Sequence, residues 1–200
     1  MNKVAIIISP NYQNYAQRYL GDCIESLRRQ DWPGEKKIFI TDNESTEASY
    51  AYLKNIVPEA DILRNKKNDG FAKGNNEAMK SALQEGYGYL FLINMDTIVE
   101  TDCIRHLINV AESDSAIGAV QARIMLWPDR DKINSLGNVT HFLGFGYCEG
   151  YGDEMSKHTL SGIRDICFPS GAAALYKKDV LQKTGLFDEE FYVYNEDQDL

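Results

Sequence analysis

Acidic side chains follow apolar segments at three separate places in this sequence. Asp42 comes directly after residues 37–41, and Asp96 comes shortly after the apolar run 89–93. The third place, residues 195–200, holds three acids within four positions. Carboxylates bind hard divalent cations such as Mg²⁺ or Mn²⁺, and they also accept protons. An acidic pocket can hold a diphosphate when such a cation lies between the two sets of oxygens. The sequence therefore offers a cation site and a general base.

The acids near residue 200 follow a stretch of apolar and aromatic side chains. That stretch contains Phe187, Phe191, Tyr192, Val193 and Tyr194. Removal of water by such neighbours raises the pKa of a carboxyl group, which makes its carboxylate a better base at neutral pH. The setting favours a base among Glu196, Asp197 and Asp199. The alternative is that the acidic run is a solvated face.

Strand-like apolar runs alternate with segments of helical periodicity along most of the chain. Strands are predicted at 3–8, 37–41, 61–63, 87–93, 116–121 and 170–176, and helices at 15–30, 73–85 and 178–183. Ser45 or Thr46 is predicted to cap a further helix that ends near Asn55, and Thr101 to cap the helix after the fourth strand. This alternation predicts a mostly parallel α/β sheet with right-handed crossovers.

Polar residues lie at the carboxyl ends of three predicted strands. They are Ser9-Pro10-Asn11 after the first strand, Asp42 after the second, and Asn94 with Asp96 after the fourth. Sheets of this type bind ligands at that edge. We therefore expect these groups to face one cleft. The alternatives are an Asx turn at Asp42 and an ordinary turn at Asp96-Thr97.

Residues 127–170 are rich in Gly, Asp, Asn and Tyr and are predicted to have little regular structure, flanking the cleft. Trp127 and the aromatic residues of 142–151 have two interpretations, stacking on a bound ligand or packing in the core or loop. In segment 68–76, Gly70 and Gly74 are expected to let the backbone approach a ligand closely.

The composition sets limits on the protein class. The chain has 200 residues, of which 44% are hydrophobic, and a net charge of −9. It suits one domain, and its acidity argues against a nucleic-acid partner. No apolar run reaches membrane-spanning length, and the run after Lys3 is too short for a signal peptide. The four scattered cysteines predict free thiols and a cytoplasmic protein.

Four stretches resemble glycosyltransferase family 2, particularly its bacterial rhamnosyltransferase-like branch. They are Ser9-Pro10-Asn11-Tyr12, then Thr41-Asp42-Asn43-Glu44-Ser45-Thr46, then Asn68-Asp69-Gly70-Phe71-Ala72-Lys73-Gly74-Asn75-Asn76, and a block made of 170–173, 185–189 and 194–200. Glu44 departs from the family, in which Gly, Ala or Ser is commoner there. The four stretches occur in the family's order and span nearly the whole chain. The resemblance implies a GT-A fold.

The resemblance also implies a reaction. It is the transfer of a sugar from a UDP- or dTDP-sugar to the hydroxyl of a saccharide or lipid-linked acceptor. Asp197 is implied as the base and Glu196 as the residue that orients the base or the acceptor. A base opposite the leaving group implies inversion at the anomeric carbon. The implied context is synthesis of bacterial surface polysaccharide, in the cytoplasm or at the inner face of the cell membrane.

A donor site follows from the same resemblance. Asp96 stands in the metal-binding Asp-x-Asp element of the family, with Mg²⁺ or Mn²⁺ as the implied cofactor. Asn94 replaces the first Asp, so it is expected to bind water, ribose or sugar, and Asp42 is expected to bind a pyrimidine or its ribose. The other implied nucleotide-sugar-binding residues are Ser9, Asn11, Tyr12, Asn43, Gly70, Lys73, Asn75 and Gly171.

Related enzymes continue beyond the Glu-Asp-x-Asp-Leu element, so residues 1–200 are expected to be a single GT-A catalytic domain without its C-terminal portion. Peripheral membrane contacts are expected, if anywhere, in that portion. One alternative is a non-catalytic module that binds nucleotide sugars. Another is a sugar nucleotidyltransferase, but those enzymes carry a Gly- and Arg-rich phosphate loop where this chain has residues 9–13. The sequence indicates neither the oligomeric state nor the donor sugar.

Overall fold

The computed structural model describes residues 3–159 and 162–200 of the chain. Its strands are β1 Val4–Asn11, β2 Lys36–Asn43, β3 Asp61–Asn65, β4 Tyr89–Ile93, β5 Ala119–Gln121, β6 Ile124–Met125, β7 Ile133–Ser135, β8 Asn138–Thr140, β9 Gly146–Cys148 and β10 Ala173–Lys177. Its helices are α1 Tyr15–Arg28, α2 Glu47–Ile56, α3 Gly70–Gln84, α4 Cys103–Ser113, α5 Lys178–Thr184 and α6 Glu196–Asp199, and 3-10 turns lie at Met155–Lys157 and Glu189–Phe191.

Six of the strands form one sheet, in the order β3-β2-β1-β4-β10-β5. Strands β3, β2, β1 and β4 are parallel to one another. Strand β10 is antiparallel to β4 on one side and to β5 on the other. The predicted mostly parallel sheet flanked by helices is confirmed. The carboxyl ends of β1, β2 and β4 consequently share one edge with the amino end of β10, and we call it the strand-end edge.

Strand β1 forms the centre of the sheet and is buried along its whole length. Val4, Ile6 and Ile8 belong to a core cluster that also contains residues of α1, α2 and α4. Ala5 and Ile7 face the opposite side, in a cluster with residues of α3 and α5. Helices therefore cover both faces, which is why the strand is a continuous apolar run rather than an alternating one.

Two strands extend further than the apolar pattern predicted. Strand β1 continues to Asn11 rather than ending at Ile8, and β2 continues to Asn43 rather than Thr41. Pairing persists because Asn11 aligns with Asp42 after a register shift, and because β2 remains paired to β3 as far as Asn43. The polar residues of these strand ends are therefore held inside the sheet rather than in loops.

Helix α3 begins at Gly70, so the prediction of a start at Lys73 was wrong. Its first turn is stabilised from a distant part of the chain, because the N–H groups of Phe71 and Ala72 donate to the carbonyl of Tyr192 at 2.7 and 3.1 Å. Asn75 consequently lies inside the helix and not at its start.

One of the two predicted helix caps is present. The Thr46 side chain accepts a hydrogen bond from the Ser49 N–H at the start of α2. Thr101 was predicted to cap α4, and this was wrong, since the helix begins at Cys103 without a side-chain cap. The Cys103 N–H bonds to the Glu100 carbonyl at 3.1 Å, which places Thr101 inside a turn.

Segment 127–170 has more regular structure than predicted. Strands β6 and β7 form one small antiparallel sheet, and β8 and β9 form another. The strand expected at 170–176 lies at Ala173–Lys177. Strands of two or three residues lack the apolar run by which a longer strand is recognised in sequence.

Two findings bear on the thiol and membrane predictions. Cys23, Cys103, Cys148 and Cys167 are free, as predicted. Within residues 3–159 and 162–200, no helix is long and apolar enough to cross a membrane.

Candidate active site

Asn11 and Asp42 meet at the strand-end edge, where both are fully buried. The Asn11 carboxamide donates to Asp42 Oδ1 at 2.7 Å and accepts from the Ala16 N–H at 2.9 Å. Ser45 Oγ donates to the same Asp42 oxygen at 2.5 Å. These bonds fix the Asp42 carboxylate in one orientation, which is the preorganisation that a recognition group needs.

The second oxygen of Asp42 is less well satisfied. Oδ2 is buried and has no hydrogen bond within the described residues, although Arg64 Nε lies at 3.4 Å. Arg64 also pairs with Glu47. Because buried polar atoms are normally hydrogen-bonded, Asp42 Oδ2 is an acceptor that a ligand can satisfy by donating a hydrogen bond.

Asn43 joins the end of β2 to the region before α3. Its Nδ2 donates to the Gly70 carbonyl at 2.9 Å and to Asn68 Oδ1 at 3.3 Å. Its Oδ1 accepts from Asn65 at 3.0 Å. Both N–H donors of the Asn43 amide are therefore engaged by the protein.

Ser9 and Asn94 connect β1, β4 and β10. Ser9 Oγ accepts from the Met95 N–H at 2.9 Å, and the Asn94 N–H donates to the Ala172 carbonyl at 3.1 Å. The turn that carries Asp96 is thus held on both sides. The Asn94 side-chain oxygen is buried and makes no hydrogen bond within the described residues.

Asp96 is exposed, and its carboxylate lies close to the hydroxyl of Tyr15. Burial and the neighbouring Asp96 carboxylate both raise the pKa of Tyr15. The Tyr12 ring stacks on the Tyr15 ring with centroids 5.2 Å apart. Asp96 and Asn94 also line a cavity of about 1790 Å³ that extends along α4 and β5. A carboxylate open on one side and oriented on the other can accept a cation or a ligand.

The residues present fit a cation whose remaining ligands come from the substrate and from water. Among residues 3–159 and 162–200, no group of three or more His, Cys, Asp or Glu is close enough to hold a metal ion. Mg²⁺ usually takes one or two carboxylates together with water and substrate phosphates. Asp96 supplies such a carboxylate, and the unpaired oxygen of Asn94 lies two residues away along the chain.

Asp197 and Glu196 are held against the amino end of β10. Asp197 Oδ2 accepts from the Gly171 N–H at 3.2 Å. Burial raises the pKa of Asp197, while backbone N–H groups oppose the shift. Burial and the Asp197 charge raise the pKa of Glu196, whose Oε2 is buried without a hydrogen bond in the described residues. These two carboxyl groups are partly desolvated, which agrees with the predicted base and not with the alternative of a solvated acidic face.

Residues 171 and 172 link the two acidic regions. The Gly171 N–H contacts Asp197, and the Ala172 carbonyl contacts the backbone of Asn94. One peptide segment thus connects the turn of Asp96 to the helix of Asp197. The strand order places the ends of β1 and β2, with Ser9, Asn11 and Asp42, beside the end of β4, after which Asn94 and Asp96 follow, and the Gly171 contact adds Asp197. A single cleft shared by these groups stays a prediction.

Gly70 and Gly74 are close to the protein's own chain. Gly70 has φ +83°, and a Cβ there would lie 2.6 Å from the Tyr192 carbonyl oxygen. A Cβ at Gly74 would lie 2.4 Å from Pro10. The sequence predicted that the backbone at these two glycines approaches a ligand closely. In this structure their close neighbours are the protein's own Tyr192 and Pro10. Nearby Tyr192, Tyr194 and Asn195 all have positive φ, which marks a strained segment before Asp197.

Two of the predicted nucleotide-sugar-binding residues have polar partners other than Asp42, Asp96 and Asp197. Lys73 forms an ion pair with Asp69 at 3.1 Å, and Asn75 donates to the Phe71 carbonyl within α3 at 2.9 Å. Within the described residues, neither makes a hydrogen bond to Asp42, Asp96 or Asp197. The sequence motif groups them with the site, but the helix directs their contacts elsewhere.

The sequence analysis missed three residues that lie near the acidic groups. Tyr15 lies close to Asp96, and Arg64 lies beside Asp42. Tyr176 is buried, and the charges of Asp197 and Glu196 add to the effect of burial in raising its pKa. The i, i+3 spacing of Tyr12 and Tyr15 in the sequence is a pattern from which Tyr15 could have been identified. No local pattern marks the other two.

The fold and this edge define the class of protein. A mostly parallel sheet with an antiparallel strand beside its last parallel strand, and acidic residues at the strand ends, is the GT-A glycosyltransferase architecture. The chain belongs to glycosyl transferase family 2, because the model of that family matches residues 6–185.

A curated relative is the poly-beta-1,6-N-acetyl-D-glucosamine synthase of Staphylococcus epidermidis. It is 25% identical over 172 residues, which cover 84% of this chain and 39% of the synthase. The chain therefore spans well under half the length of the relative it matches.

Solved structures share the fold at low sequence identity. S. aureus TarS 1-349 in complex with UDP has a TM-score of 0.67 and 18% identity, with 99% of this chain and 53% of that chain covered. The mannosyltransferase PcManGT from Pyrobaculum calidifontis, in complex with GDP-Man and Mn²⁺, has a TM-score of 0.63 and 16% identity, with 98% and 49% covered. TarS has also been solved with UDP-GlcNAc, at a TM-score of 0.66.

Proposed function

We propose that residues 1–200 form a single catalytic domain of an inverting, metal-dependent glycosyltransferase. The donor is a nucleoside diphosphate sugar, with UDP or dTDP as its nucleotide, and the acceptor is a hydroxyl of a saccharide or lipid-linked saccharide. Membership of the family supports the class of reaction. The observation that carries the proposal is the link through Gly171 and Ala172, which joins the candidate base to the candidate cation site.

The nucleotide is assigned to the β1–β2 side of the strand-end edge. Asp42 Oδ2 accepts a hydrogen bond from the base or ribose, and Asn11 holds the carboxylate in place. Tyr12, with 41% of its surface exposed, offers a ring face to the nucleotide. Asn43, Gly70, Lys73 and Asn75 are proposed to form the wall of this side. To offset phosphate charge, Lys73 would have to leave its ion pair with Asp69.

The diphosphate is assigned to Asp96. This carboxylate would hold Mg²⁺ or Mn²⁺, and the Asn94 oxygen would bind the ion, its water or the sugar. When bound, such a cation neutralises the charge that develops on the departing diphosphate. We assign to the Tyr15 hydroxyl a hydrogen bond that orients the Asp96 carboxylate.

The transfer step is assigned to Asp197. Its carboxylate takes the proton of the acceptor hydroxyl while the acceptor oxygen forms a bond to the anomeric carbon. The bond from that carbon to the diphosphate oxygen breaks, and its electron pair leaves with the nucleoside diphosphate. Attack opposite the leaving group inverts the anomeric carbon. The raised pKa of Asp197 suits this role, because a stronger base accepts the hydroxyl proton more readily.

The proposed setting is synthesis of bacterial surface polysaccharide, in the cytoplasm or at the inner face of the membrane. The relative named as a poly-beta-1,6-N-acetyl-D-glucosamine synthase supports a polysaccharide product.

Calorimetry with UDP, dTDP and GDP, each with and without Mn²⁺, tests the donor site. We expect one nucleotide to bind more tightly with Mn²⁺ present. A panel of nucleotide sugars, read by mass shift on a saccharide acceptor, then tests transfer. Metal-enhanced binding without transfer to any acceptor would favour a non-catalytic module, and failure of every nucleotide to bind would refute the proposal.

A further inference from the structure

An exposed group of aromatic and apolar side chains lies on the loop between β8 and β9. We call residues 141–145 the aromatic loop. Phe142 is 88% exposed, Leu143 70% and Phe145 52%. Large apolar side chains grouped on a protein surface usually mark a binding site.

Hydrogen bonds hold the aromatic loop in a defined shape. The His141 N–H donates to the Phe145 carbonyl, and the Gly144 N–H donates to the His141 carbonyl, both at 2.8 Å. The rings of His141 and Phe145 stack with centroids 4.4 Å apart and planes 14° apart. A loop ordered in this way loses little conformational entropy when a ligand binds.

The catalytic helix anchors the same loop. Gln198 Nε2, on α6, donates to the Gly144 carbonyl at 3.1 Å and to Thr140 Oγ1 at 3.3 Å. Gln198 directly follows Asp197, the candidate base. The aromatic loop is therefore fixed relative to the group that would deprotonate an acceptor.

A pocket of about 500 Å³ lies between the aromatic loop and α6. Its apolar lining comes from Leu143, Phe145 and Phe191, and its polar lining includes Asn195 and Asp199. This volume lies within the range of roughly 300–1,000 Å³ that small-molecule sites occupy.

The lining identifies the class of ligand. Sugar rings combine apolar C–H faces with hydroxyl groups, so they match aromatic rings beside carboxamide and carboxylate acceptors. A membrane surface would instead select Lys and Arg beside the apolar residues. Residues 138–151 contain no Lys or Arg, and their acid is Glu149. The charge pattern therefore favours a neutral saccharide over an anionic lipid surface.

We propose that the aromatic loop and this pocket form a saccharide subsite that positions the acceptor next to Asp197. The inference rests on the proposed function and names its acceptor as a neutral saccharide. Phe145 and Phe191 contact the faces of a sugar ring. The Asp199 carboxylate accepts hydrogen bonds from its hydroxyl groups, and the Asn195 carboxamide accepts from or donates to them.

Saccharide binding is measured without donor, by saturation-transfer NMR and calorimetry. The probes are neutral di- to tetrasaccharides of N-acetylglucosamine, mannose and rhamnose. We compare the wild-type chain with Leu143→Ser, Phe145→Ser and the control Tyr151→Ser. Tyr151 is 66% exposed but is not part of the pocket lining. Circular dichroism and thermal melting check that each variant is folded.

We expect at least one oligosaccharide to bind, with about fivefold or greater weakening in Leu143→Ser and Phe145→Ser and less than twofold change in Tyr151→Ser. Nucleotide affinity should be unchanged in all three variants. Failure of every oligosaccharide to bind, or equal binding by all variants, would overturn the subsite. Nucleotide binding is measured separately, so a failure of the donor site is distinguishable.

A vesicle arm separates saccharide from lipid. Phosphatidylglycerol–phosphatidylethanolamine vesicles should not retain the protein. Retention that Leu143→Ser abolishes and that oligosaccharides do not compete would identify a lipid-binding surface instead and overturn the proposal.

Discussion

The two halves of the strand-end edge differ in how completely their polar groups are satisfied. In the β1–β2 half, Asn11 and Asp42 are fully buried and share a hydrogen-bond network with Ser45, although Asp42 Oδ2 has no hydrogen bond within the described residues. In the β4–β10 half, Asp96 is exposed, and Asn94 Oδ1 and Glu196 Oε2 are buried without a hydrogen bond in the described residues.

We infer from this difference that one half binds the donor and the other half takes part in the reaction. Each buried unsatisfied polar group costs about 1–3 kcal/mol, so such groups persist where a ligand is meant to satisfy them. We infer that the hydrogen bonds of the β1–β2 half hold its polar groups in place for the nucleotide of the donor. The β4–β10 half keeps free acceptors for groups that arrive with the substrates.

The largest expected effect is on catalysis in the open half. Asp197→Asn should lower kcat by about 10²–10⁴-fold, because the amide cannot accept the hydroxyl proton. Donor affinity should be unchanged, since Asp197 is not assigned to the donor. Steady-state kinetics and calorimetry give both quantities. Glu190→Gln is the matched control, an exposed acid changed to its amide, and near-normal turnover in Asp197→Asn would remove it as the base.

The next effect concerns the exposed carboxylate of the same half. Asp96→Ala should weaken donor binding in Mn²⁺ by roughly tenfold or more and abolish the difference between titrations with and without Mn²⁺. Asp129→Ala, which removes an equal charge from an exposed position, should bind donor as wild type does. An unchanged Mn²⁺ effect in Asp96→Ala would refute its role.

In the closed half, the expected effect is on stability. Asn11→Ala should lower the free energy of unfolding by about 1–3 kcal/mol, because it leaves the buried Asp42 oxygen and the Ala16 N–H without this partner. Denaturant titration measures the change. Asn14→Ala is the control, since Asn14 is exposed and accepts one bond from Thr46. Equal stability of the two variants would contradict the contrast between the halves.

A smaller effect is expected from the residue that orients Asp96. Tyr15→Phe should raise the Mn²⁺ concentration needed for half-maximal donor binding by about two- to tenfold, because one hydrogen bond to the carboxylate is lost. Tyr19→Phe changes a neighbouring hydroxyl on α1 and should have no such effect. A merely structural role for Tyr15 would lower thermal stability without shifting the Mn²⁺ dependence.

The smallest effect is a pH dependence of stability. The pKa of Asp197 is raised in the folded protein, so folding favours its protonated form. Its contribution is fully present below the unfolded pKa and is lost as the pH rises through the folded pKa. Asp197→Asn should therefore melt a few degrees higher than wild type near pH 7, with the gain vanishing below about pH 4. A constant difference across this range would argue against a raised pKa.

Local sequence was sufficient for several features. The apolar run of β1 predicted a central strand because burial on both faces leaves no polar position. Thr46 predicted the start of α2 because a cap and its partner are three residues apart. The acids that follow the second and fourth apolar runs of the sequence predicted a common edge, because parallel strands end on the same side of a sheet.

Other features depend on contacts between residues far apart in the chain. The start of α3 is set by Tyr192, more than a hundred residues later, and Asp197 is held by Gly171. The sequence favoured core or loop packing for most aromatic residues of 142–151, but the structure leaves several of them exposed, and some of these line a pocket beside α6. The amino-acid sequence by itself determined the sheet, the family and the candidate acids, because these follow from periodicity and short motifs. Only the tertiary structure decided which polar groups are satisfied and which remain free, because that depends on neighbours that no local pattern encodes.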